Sequence, residues 1–205
     1  ETGAKQAVMA GQITPTSLFR VRMDTRMISV LANLKTRNAE TIFGAIGAEL
    51  KTIGITLLPA SMFMESHMPS PGTLTSRTPD ERQRNDIEIG KNVAKVTSNL
   101  DIGQTVVIKQ GTIIAVEAFE GTDETVKRAG ELAGPGCVVV KVAKKGHDMR
   151  FDIPVIGEHT IKMLAKIKAS VLAVEAGRAI MLEQDKLIRQ AEKAGICLVA
   201  METNG

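Results

Sequence analysis

The sequence contains no tryptophan and no tyrosine, and only five phenylalanines. Proteins that bind single-stranded nucleic acid without sequence preference stack the bases on aromatic side chains, so the sequence disfavours that class. The net charge of +3 at pH 7 is also too small to indicate a nucleic-acid binder by itself. We therefore expect no nucleic-acid partner.

Cysteine is scarce. Cys137 and Cys197 are the only two cysteines, and each lies in an apolar, strand-like run. We expect both to be small buried thiols, because they form neither a zinc motif nor a disulfide framework. This pattern is typical of a reduced compartment, and we expect a cytoplasmic protein.

Long hydrophobic runs are absent as well. The stretch at 54–64 is interrupted by Pro59 and is shorter than the ~20 residues that cross a bilayer. The first residues lack the regions of a signal peptide. The chain starts without Met, and its first strand-like segment reads as if earlier elements were missing, so we expect a fragment.

The composition is that of an ordinary globular protein, with 43% hydrophobic and 24% charged residues. Before residue 59 the apolar spacing predicts strand, helix, helix and strand, an order that resembles half of a doubly wound α/β unit. Beyond residue 100 it predicts two strands joined by a hairpin at Lys109-Gln110-Gly111, where Gly111 suits a positive φ, then a helix and a strand and further helix–strand pairs. Residues 66–80, rich in Pro, Ser and Thr, are the predicted linker. The expected fold is therefore α/β, with a mixed sheet after the linker.

The first candidate site follows a predicted strand. Glu117 and Glu120 are followed by Gly121-Thr122, and Asp123 is a candidate N-cap of the next helix. Backbone N–H groups at a helix N-terminus bind phosphate well, and Gly121 allows close approach. The alternative is that Asp123 only caps the helix and that both glutamates are solvated.

The second candidate site lies in the charged segment that ends in Asp148 and Asp152. These two carboxylates would share a divalent cation if the loop folds back, because hard cations prefer carboxylate oxygen. Three bases of the segment would contact phosphate oxygens: Lys141, Lys144 and Arg150. Carboxylates with Mg²⁺ beside basic residues are the usual means of displacement at phosphorus. The alternative is a solvated cluster of surface charges, and His147 is more typical of an exposed residue than of a general base.

One further acid follows a predicted strand. Glu175 either lines the same cleft or is a solvated turn residue. No nucleophile elbow, Walker A loop or GxGxxG fingerprint occurs, so serine hydrolases, NTPases and dinucleotide-dependent oxidoreductases have no support.

Several motifs, in this order, resemble those of one known family. They are Met9-Ala-Gly-Gln-Ile-Thr-Pro15, Asp101-Ile-Gly-Gln104, Ala115-Val-Glu-Ala118, Glu120-Gly-Thr-Asp123, Val140-Lys-Val-Ala-Lys144, Asp148-Met-Arg-Phe-Asp-Ile-Pro154 and Ala173-Val-Glu-Ala-Gly177. Together they resemble the UDP-2,3-diacylglucosamine pyrophosphatases of the LpxI type, and the likeness extends over nearly the whole chain.

The resemblance implies Mg²⁺-dependent hydrolysis of UDP-2,3-diacylglucosamine to UMP and 2,3-diacylglucosamine 1-phosphate, with water attacking the α-phosphorus. In Gram-negative bacteria this is a step of lipid A biosynthesis. It also implies a Rossmann-like N-terminal domain, of which 1–65 would be a remnant lacking its N-terminal portion, and a catalytic α/β domain at 81–205.

The resemblance also assigns residues. The family's essential Asp corresponds to Asp148, with Asp152 as the alternative. The implied substrate-binding residues are Gly121, Thr122, Lys141, Lys144 and Arg150, and the implied metal ligands are Glu120, Asp123, Asp148 and Asp152.

The sequence departs from the family in two places. The usual first strand–helix–strand portion with its Gly-rich turn is absent, and the loop reads Lys144-Lys-Gly-His-Asp148 where the family has Lys-Pro-x-Gln-Asp. The role of His147 stays open. The alternative function is a non-catalytic module that binds a sugar nucleotide or a lipid.

The family further implies a homodimer, and the acyl chains of the substrate imply peripheral contact with the inner membrane from the cytoplasmic face. The connector Met62-Phe-Met64 through Met68-Pro69 is the most apolar loop-like stretch near the linker. Flexible Met side chains suit an irregular acyl surface. The alternative is that the connector packs between the two domains.

Overall fold

A computed structural model describes residues 3–10, 25–32, 34, 39–144, 148–151 and 153–203. The chain divides into two compact units, Glu1–Phe63 with Asp148–Ile153, and Met64–His147 with Pro154–Gly205. Both units combine helices and strands, and the second has a mixed sheet, so the predicted α/β class is confirmed. Residues 148–153 group with the first unit, whereas the sequence places them in the C-terminal domain.

The first unit contains a parallel pair of strands with helices between them. Its described elements are β1 (Gln6–Val8), α1 (Thr25–Ala32), α2 (Ala39–Thr52) and β2 (Thr56–Leu58). Phe43 of α2, Leu57 of β2 and Phe151 form its core, with the two rings 5.6 Å apart. The buried ring of Phe151 explains why the segment around it belongs to this unit.

The second unit is built on a six-stranded sheet. Its strands are β3 (Gly72–Thr73), β4 (Thr105–Lys109), β5 (Thr112–Val116), β6 (Val138–Lys141), β8 (Val171–Glu175) and β10 (Cys197–Met201). Their spatial order is β3-β10-β8-β6-β4-β5. β6, β8 and β10 are parallel, while β4 is antiparallel to β5 and β6, and β3 is antiparallel to β10. A separate parallel pair is formed by β7 (Val155–Ile156) and β9 (Ile180–Met181).

Part of the predicted linker belongs to this sheet. β3 lies within 66–80, and its Thr73 pairs with Val199 of β10. Thr75 continues the contact, because its hydroxyl accepts from the Leu198 backbone N–H and donates to the Arg77 carbonyl. The prolines and serines of 66–80 therefore indicate an irregular backbone, and some of its polar groups form hydrogen bonds with the edge of the sheet.

Helices cover both faces of the sheet. α3 (Glu81–Asn99) packs on one face, and the other face is covered by α4 (Thr122–Ala133), α5 (Glu158–Lys166) and α6 (Gln184–Lys193). In β6, Val138 and Val140 pack with α3 while Val139 faces the other three helices. A sheet buried on both sides needs apolar residues at consecutive strand positions, which is why the β6 sequence shows no polar alternation.

The start and the packing of α3 have clear local causes. Asp80 is its N-cap: the carboxylate accepts from the Gln83 backbone N–H, and the Gln83 side chain accepts from the Asp80 N–H. A Cβ at Gly90 would lie 2.4 Å from Ile108 Cδ1 and 2.6 Å from Val140 Cγ2. Glycine at this position therefore sets how closely α3 approaches the sheet.

The hairpin predicted around Lys109-Gln110-Gly111 is confirmed. Gln110 and Gly111 have φ of 51° and 79°, as tight two-residue hairpin turns require. Asp86 of α3 is buried and accepts from both of their backbone N–H groups, at 2.9 and 2.6 Å. The helix thus holds the turn, which the sequence alone does not indicate.

Cys137 and Cys197 are buried free thiols, as predicted, and burial raises the pKa of each. None of the helices within the described residues is long and apolar enough to cross a membrane. In the connector, Phe63 is 82% exposed, so its ring belongs to neither core.

Candidate functional site

Four strands of the second unit end at one edge of the sheet. β5, β6, β8 and β10 run in the same direction, and antiparallel β4 begins at that edge with Thr105. Ligands of open α/β sheets bind outside the carboxyl ends of the strands. The segments that leave this edge carry the predicted site residues of the second unit: Glu120, Gly121, Thr122, Asp123, Lys141 and Lys144.

Glu117, Thr122 and Lys141 form a hydrogen-bonded chain at this edge. The Thr122 hydroxyl donates to Glu117 Oε1 over 2.8 Å, and Lys141 Nζ donates to Thr122 Oγ1 over 3.0 Å. Glu117 is buried, and its other oxygen accepts from the Gln104 backbone N–H. Thr122 and Lys141, two predicted phosphate-binding residues, are thus brought together. The alternative of a solvated Glu117 is wrong, because two neighbouring segments cover its carboxylate.

A close backbone approach fixes Glu117. A Cβ at Gly103 would lie 2.1 Å from the Glu117 carbonyl oxygen, so no other residue fits without moving the loop. The Gly103 carbonyl accepts from the Thr97 hydroxyl over 3.0 Å, and the Gln104 carbonyl accepts from the Val142 N–H over 3.0 Å. The Asp101-Ile-Gly-Gln104 motif therefore lets the loop before β4 lie against the loop after β5.

The N-terminus of α4 differs from the prediction. Its N-cap is Gly121, with φ of 83°, and no side chain caps the helix, so the expectation that Asp123 is the N-cap is wrong. The positive φ of Gly121 starts the helix earlier and places Asp123 inside its first turn. There Asp123 Oδ2 lies 2.8 Å from His159 Nε2 of α5, with both side chains largely exposed.

Glu120, a predicted metal ligand, is held by groups of its own loop and of the helix α4 that follows it. Its carboxylate pairs with Arg128 over 2.8 Å and accepts from the Thr125 hydroxyl and the Ala118 N–H. A backbone hydrogen bond and then the Arg128 guanidinium lower the pKa of Glu120. Its carboxylate is therefore ionised and already has protein partners.

Two further ion pairs lie at the same edge. Lys144 Nζ is 2.7 Å from Asp101 Oδ1 on the loop before β4. Lys95 Nζ of α3 is 2.5 Å from Glu175 Oε1, and Glu175 is only 2% exposed. The alternative of a solvated Glu175 is wrong, since its other oxygen accepts from the Ala143 N–H over 2.6 Å.

Asp148 and Arg150 lie in the first unit and bind each other. Arg150 Nε donates to both carboxylate oxygens over 2.9 Å, and Nη2 donates to Oδ2 over 2.5 Å. Hydrogen bonding to Asp148 raises the pKa of Arg150. Arg150 also lies 5.8 Å from the Phe151 ring centroid, and a Cβ at Gly47 of α2 would be 3.3 Å from Nη1. The forked guanidinium predicted for phosphate is thus directed at the predicted catalytic Asp.

The described residues do not assemble a metal site by themselves. No group of three or more His, Cys, Asp or Glu side chains that could hold a metal ion occurs in the part of the chain that the structure covers. Two of the predicted ligands, Glu120 and Asp123, contact Arg128 and His159 instead. Asp152, another predicted ligand, and His147 lie outside the described residues.

Sequence reasoning missed several partners of the site. They are Lys95, Asp101, Thr105, Arg128 and His159, none of which was assigned a role. All contact their partners from another element, so local spacing does not reveal them. Asp101 stands at the head of a motif shared with the family, which was the one available indication.

Comparison with known proteins identifies both units. A model of the LpxI N-terminal domain matches residues 1–67, and a model of the LpxI C-terminal domain matches residues 70–199. The break between the two matches lies at the start of the predicted linker.

A relative from Caulobacter vibrioides, the UDP-2,3-diacylglucosamine pyrophosphatase LpxI, is 26% identical over 211 residues, which cover 98% of this chain and 75% of the relative. A solved structure, Acinetobacter baumannii RibD (form 2), matches 59% of the chain with 15% identity and a TM-score of 0.33. The match spans only 36% of RibD, and at this score it carries no conclusion. The two domain matches together cover nearly the whole sequence, and the chain therefore belongs to the LpxI family.

Proposed function

We propose that this protein hydrolyses the diphosphate of UDP-2,3-diacylglucosamine to UMP and 2,3-diacylglucosamine 1-phosphate, with water attacking the α-phosphorus. The observation that carries the proposal is the match of both LpxI domains along the chain, together with a relative named for this activity. The polar carboxyl edge of the sheet lies inside the C-terminal match. The lysines and the helix N-terminus at this edge suit the diphosphate of the substrate, which carries two negative charges.

Lys141 is the cation that we assign to the diphosphate. Its ammonium group has three N–H donors, and the Thr122 hydroxyl accepts one of them. The Thr122 hydroxyl donates its hydrogen bond to Glu117, so the lone pairs of its oxygen face the Lys141 ammonium group and orient that group. A preorganised cation stabilises charge that develops on phosphate oxygens in the transition state, at no cost of reorganisation.

The start of α4 is the second part of the proposed phosphate site. Gly121 has no side chain, and the first N–H groups of a helix have no acceptor within the helix. Thr122 therefore presents a backbone donor on the segment whose side chain holds Lys141. A phosphate oxygen at this point would meet the positive end of the helix dipole and the ammonium group together.

Asp148 is the proposed catalytic carboxylate. Arg150 donates to both of its oxygens and fixes its position, and a carboxylate so placed can orient an attacking water or accept its proton. Arg150 then acts by holding the orientation of Asp148 with its planar fork. Lys144 contributes positive charge at the end of β6.

A requirement for Mg²⁺ is part of the proposal. Since the described carboxylates do not form a three-ligand site, no step is assigned to the ion. If it binds, Mg²⁺ would add Lewis-acid stabilisation of the phosphoryl oxygens. Homodimerisation and peripheral contact with the inner membrane are proposed on the family resemblance alone.

The test is release of UMP from UDP-2,3-diacylglucosamine, followed by chromatography with Mg²⁺ present and with EDTA as control. Metal-dependent release of UMP supports the proposal. Turnover that persists in EDTA refutes only the Mg²⁺ requirement. Binding of the substrate without turnover refutes hydrolysis and favours the non-catalytic binding module.

A further inference from the structure

Where the chain leaves the sheet after β6, the backbone of Ala143 is buried and no longer part of the strand ladder. The ladder between β6 and β8 ends at the pair Lys141–Val174, and the Val142 N–H is bonded to Gln104 on the other side. Ala143 is only 1% exposed, so its backbone groups need partners other than water.

Both partners of Ala143 are charged side chains. The Ala143 N–H donates to Glu175 Oε2 over 2.6 Å, and the Ala143 carbonyl accepts from Lys95 Nζ over 2.8 Å. The two side chains also pair with each other, Nζ to Oε1, over 2.5 Å. Lys95, Glu175 and Ala143 thus form a closed ring of three polar contacts that joins α3, β8 and the end of β6.

A charged side chain buried like that of Glu175 is a costly way to satisfy one peptide unit. The Glu175 side chain is 2% exposed and that of Lys95 26%, so the carboxylate bears most of the desolvation cost, and apolar residues in place of such a pair are often as stable or more so. An apolar pair could not fix the direction of the backbone. Here each charged side chain makes a strong hydrogen bond to a backbone group of Ala143, and the two bonds together hold Ala143 in one orientation. The ring therefore specifies geometry more than it adds stability.

The residues on either side of Ala143 are those that the site depends on. Lys141 lies two positions before it and holds Thr122, and Lys144 is the next residue and pairs with Asp101. A rotation of the backbone at Ala143 would move the Lys144 ammonium group directly. It would also loosen the end of β6 that carries Lys141, whose own backbone is held by its pairs with Thr105 and Val174.

We propose that Lys95 and Glu175 are positioning residues that clamp Ala143 and thereby set where Lys141 and Lys144 present their charge to a diphosphate. This inference rests on the proposed function, in which those lysines bind the phosphates. Neither Lys95 nor Glu175 contacts the substrate in this role. Their effect passes through the backbone of residues 141–144.

The experiment is a mutant cycle read out as affinity for UDP, measured by calorimetry on the full chain. Glu175→Ala is compared in two backgrounds, the natural chain and Lys141→Met/Lys144→Met. The matched control is Glu183→Gln, which breaks an exposed ion pair with Lys186 at the start of α6. Urea denaturation of every variant gives stability separately.

A clamp that acts through the lysines predicts non-additive effects. We expect Glu175→Ala to weaken UDP binding at least about tenfold in the natural chain and less than about twofold where the lysines are replaced. Glu175→Gln keeps an acceptor for the Ala143 N–H and should lose less, and it serves as the test variant if Glu175→Ala does not fold. Glu183→Gln should leave affinity unchanged.

Equal losses in both backgrounds, or no loss in the natural chain, would overturn the clamp. Absence of UDP binding by the natural chain would overturn it too, because its lysines would then serve no diphosphate. If the natural chain binds UDP but releases no UMP from the full substrate, hydrolysis fails while the cycle still decides the clamp.

Discussion

At the scale of single residues, the described carboxylates predicted to act on substrate or metal already contact a base. Glu120 contacts Arg128, Asp123 contacts His159, and Asp148 contacts Arg150. Pairs at partly exposed sites contribute about 0–1 kcal/mol each. A ligand with two phosphates can therefore displace or share such a partner at small cost, so these pairs are compatible with a binding surface.

Replacing Asp148, the proposed catalytic carboxylate, tests the role assigned to it. We expect Asp148→Ala to lower kcat at least about a hundredfold, since a group that orients or deprotonates water acts in the transition state. Folding should be unaffected, because the side chain is not part of a core. Steady-state kinetics with circular dichroism checks this, and Asp185→Ala, at an exposed acid in the first turn of α6, is the control. Turnover near that of the natural protein would move the role to Asp152 or Asp123.

The fork of Arg150 is a separate prediction. Arg150→Lys keeps the charge but cannot make the paired contacts from Nε and Nη2 to Asp148. We expect kcat/KM to fall about tenfold or more, which corresponds to about 1.4 kcal/mol. Arg128→Lys is the matched control, since Arg128 contacts Glu120 through Nη2 alone. Unchanged kinetics for Arg150→Lys would show that the fork has no catalytic role.

At the scale of elements, α3 connects the fold to the site. The same helix carries Asp86 for the hairpin, Gly90 for close packing and Lys95 at the carboxyl edge. Its distance from the sheet therefore decides whether Lys95 reaches Ala143. If α3 lay farther from the sheet by the width of a methyl group, the contacts of Lys95 with Ala143 and Glu175 would lengthen.

Gly90→Ala is expected to destabilise the protein by about 1–3 kcal/mol, because the added Cβ would overlap Ile108 and Val140. The free energy of unfolding from urea titration measures this. Gly44→Ala is the matched control: Gly44 lies in a helix with nothing within 4 Å of the added Cβ. That change should stabilise by roughly 0.5–1 kcal/mol through helix propensity. If both variants changed the free energy of unfolding by the same amount, the close packing of α3 at Gly90 would be contradicted.

At the scale of the whole molecule, the two units alternate along the sequence. It leaves the first unit at Phe63, builds most of the second unit, and returns with Asp148–Ile153 before completing the second sheet. Phe151 anchors the return against Phe43 and Leu57. The proposed catalytic Asp therefore depends on the folding of residues that are distant in sequence.

Removing residues 1–63 should release the returning segment. Without Phe43 and Leu57, Phe151 loses its core, so trypsin should cut after Arg150 far faster in the truncated protein than in the full chain. Mass spectrometry of timed digests measures the rate. Cleavage after Arg178, a turn residue of the second unit, is the internal control and should not change. Equal rates after Arg150 would show that the segment holds its place without the first unit.

The sequence by itself determined the α/β class, the main strands and helices of the second unit, the buried cysteines and the family. These features are local: apolar periodicity, a Gly turn between two strands, and motifs whose order survives in the primary structure. The tight turn at Lys109-Gln110-Gly111 was predicted for this reason, since Gly111 can adopt a positive φ without strain.

Only the tertiary structure decided the partners. It made Glu117 and Glu175 buried acceptors, where the sequence had left a solvated position open, made Gly121 the cap in place of Asp123, and gave residues 148–151 to the first unit. Each outcome depends on which segment packs beside the residue, and that segment is supplied by a distant part of the chain. A charge at a strand end looks the same in sequence whether water or a lysine on another helix satisfies it, because its free energy depends on neighbours brought together by folding.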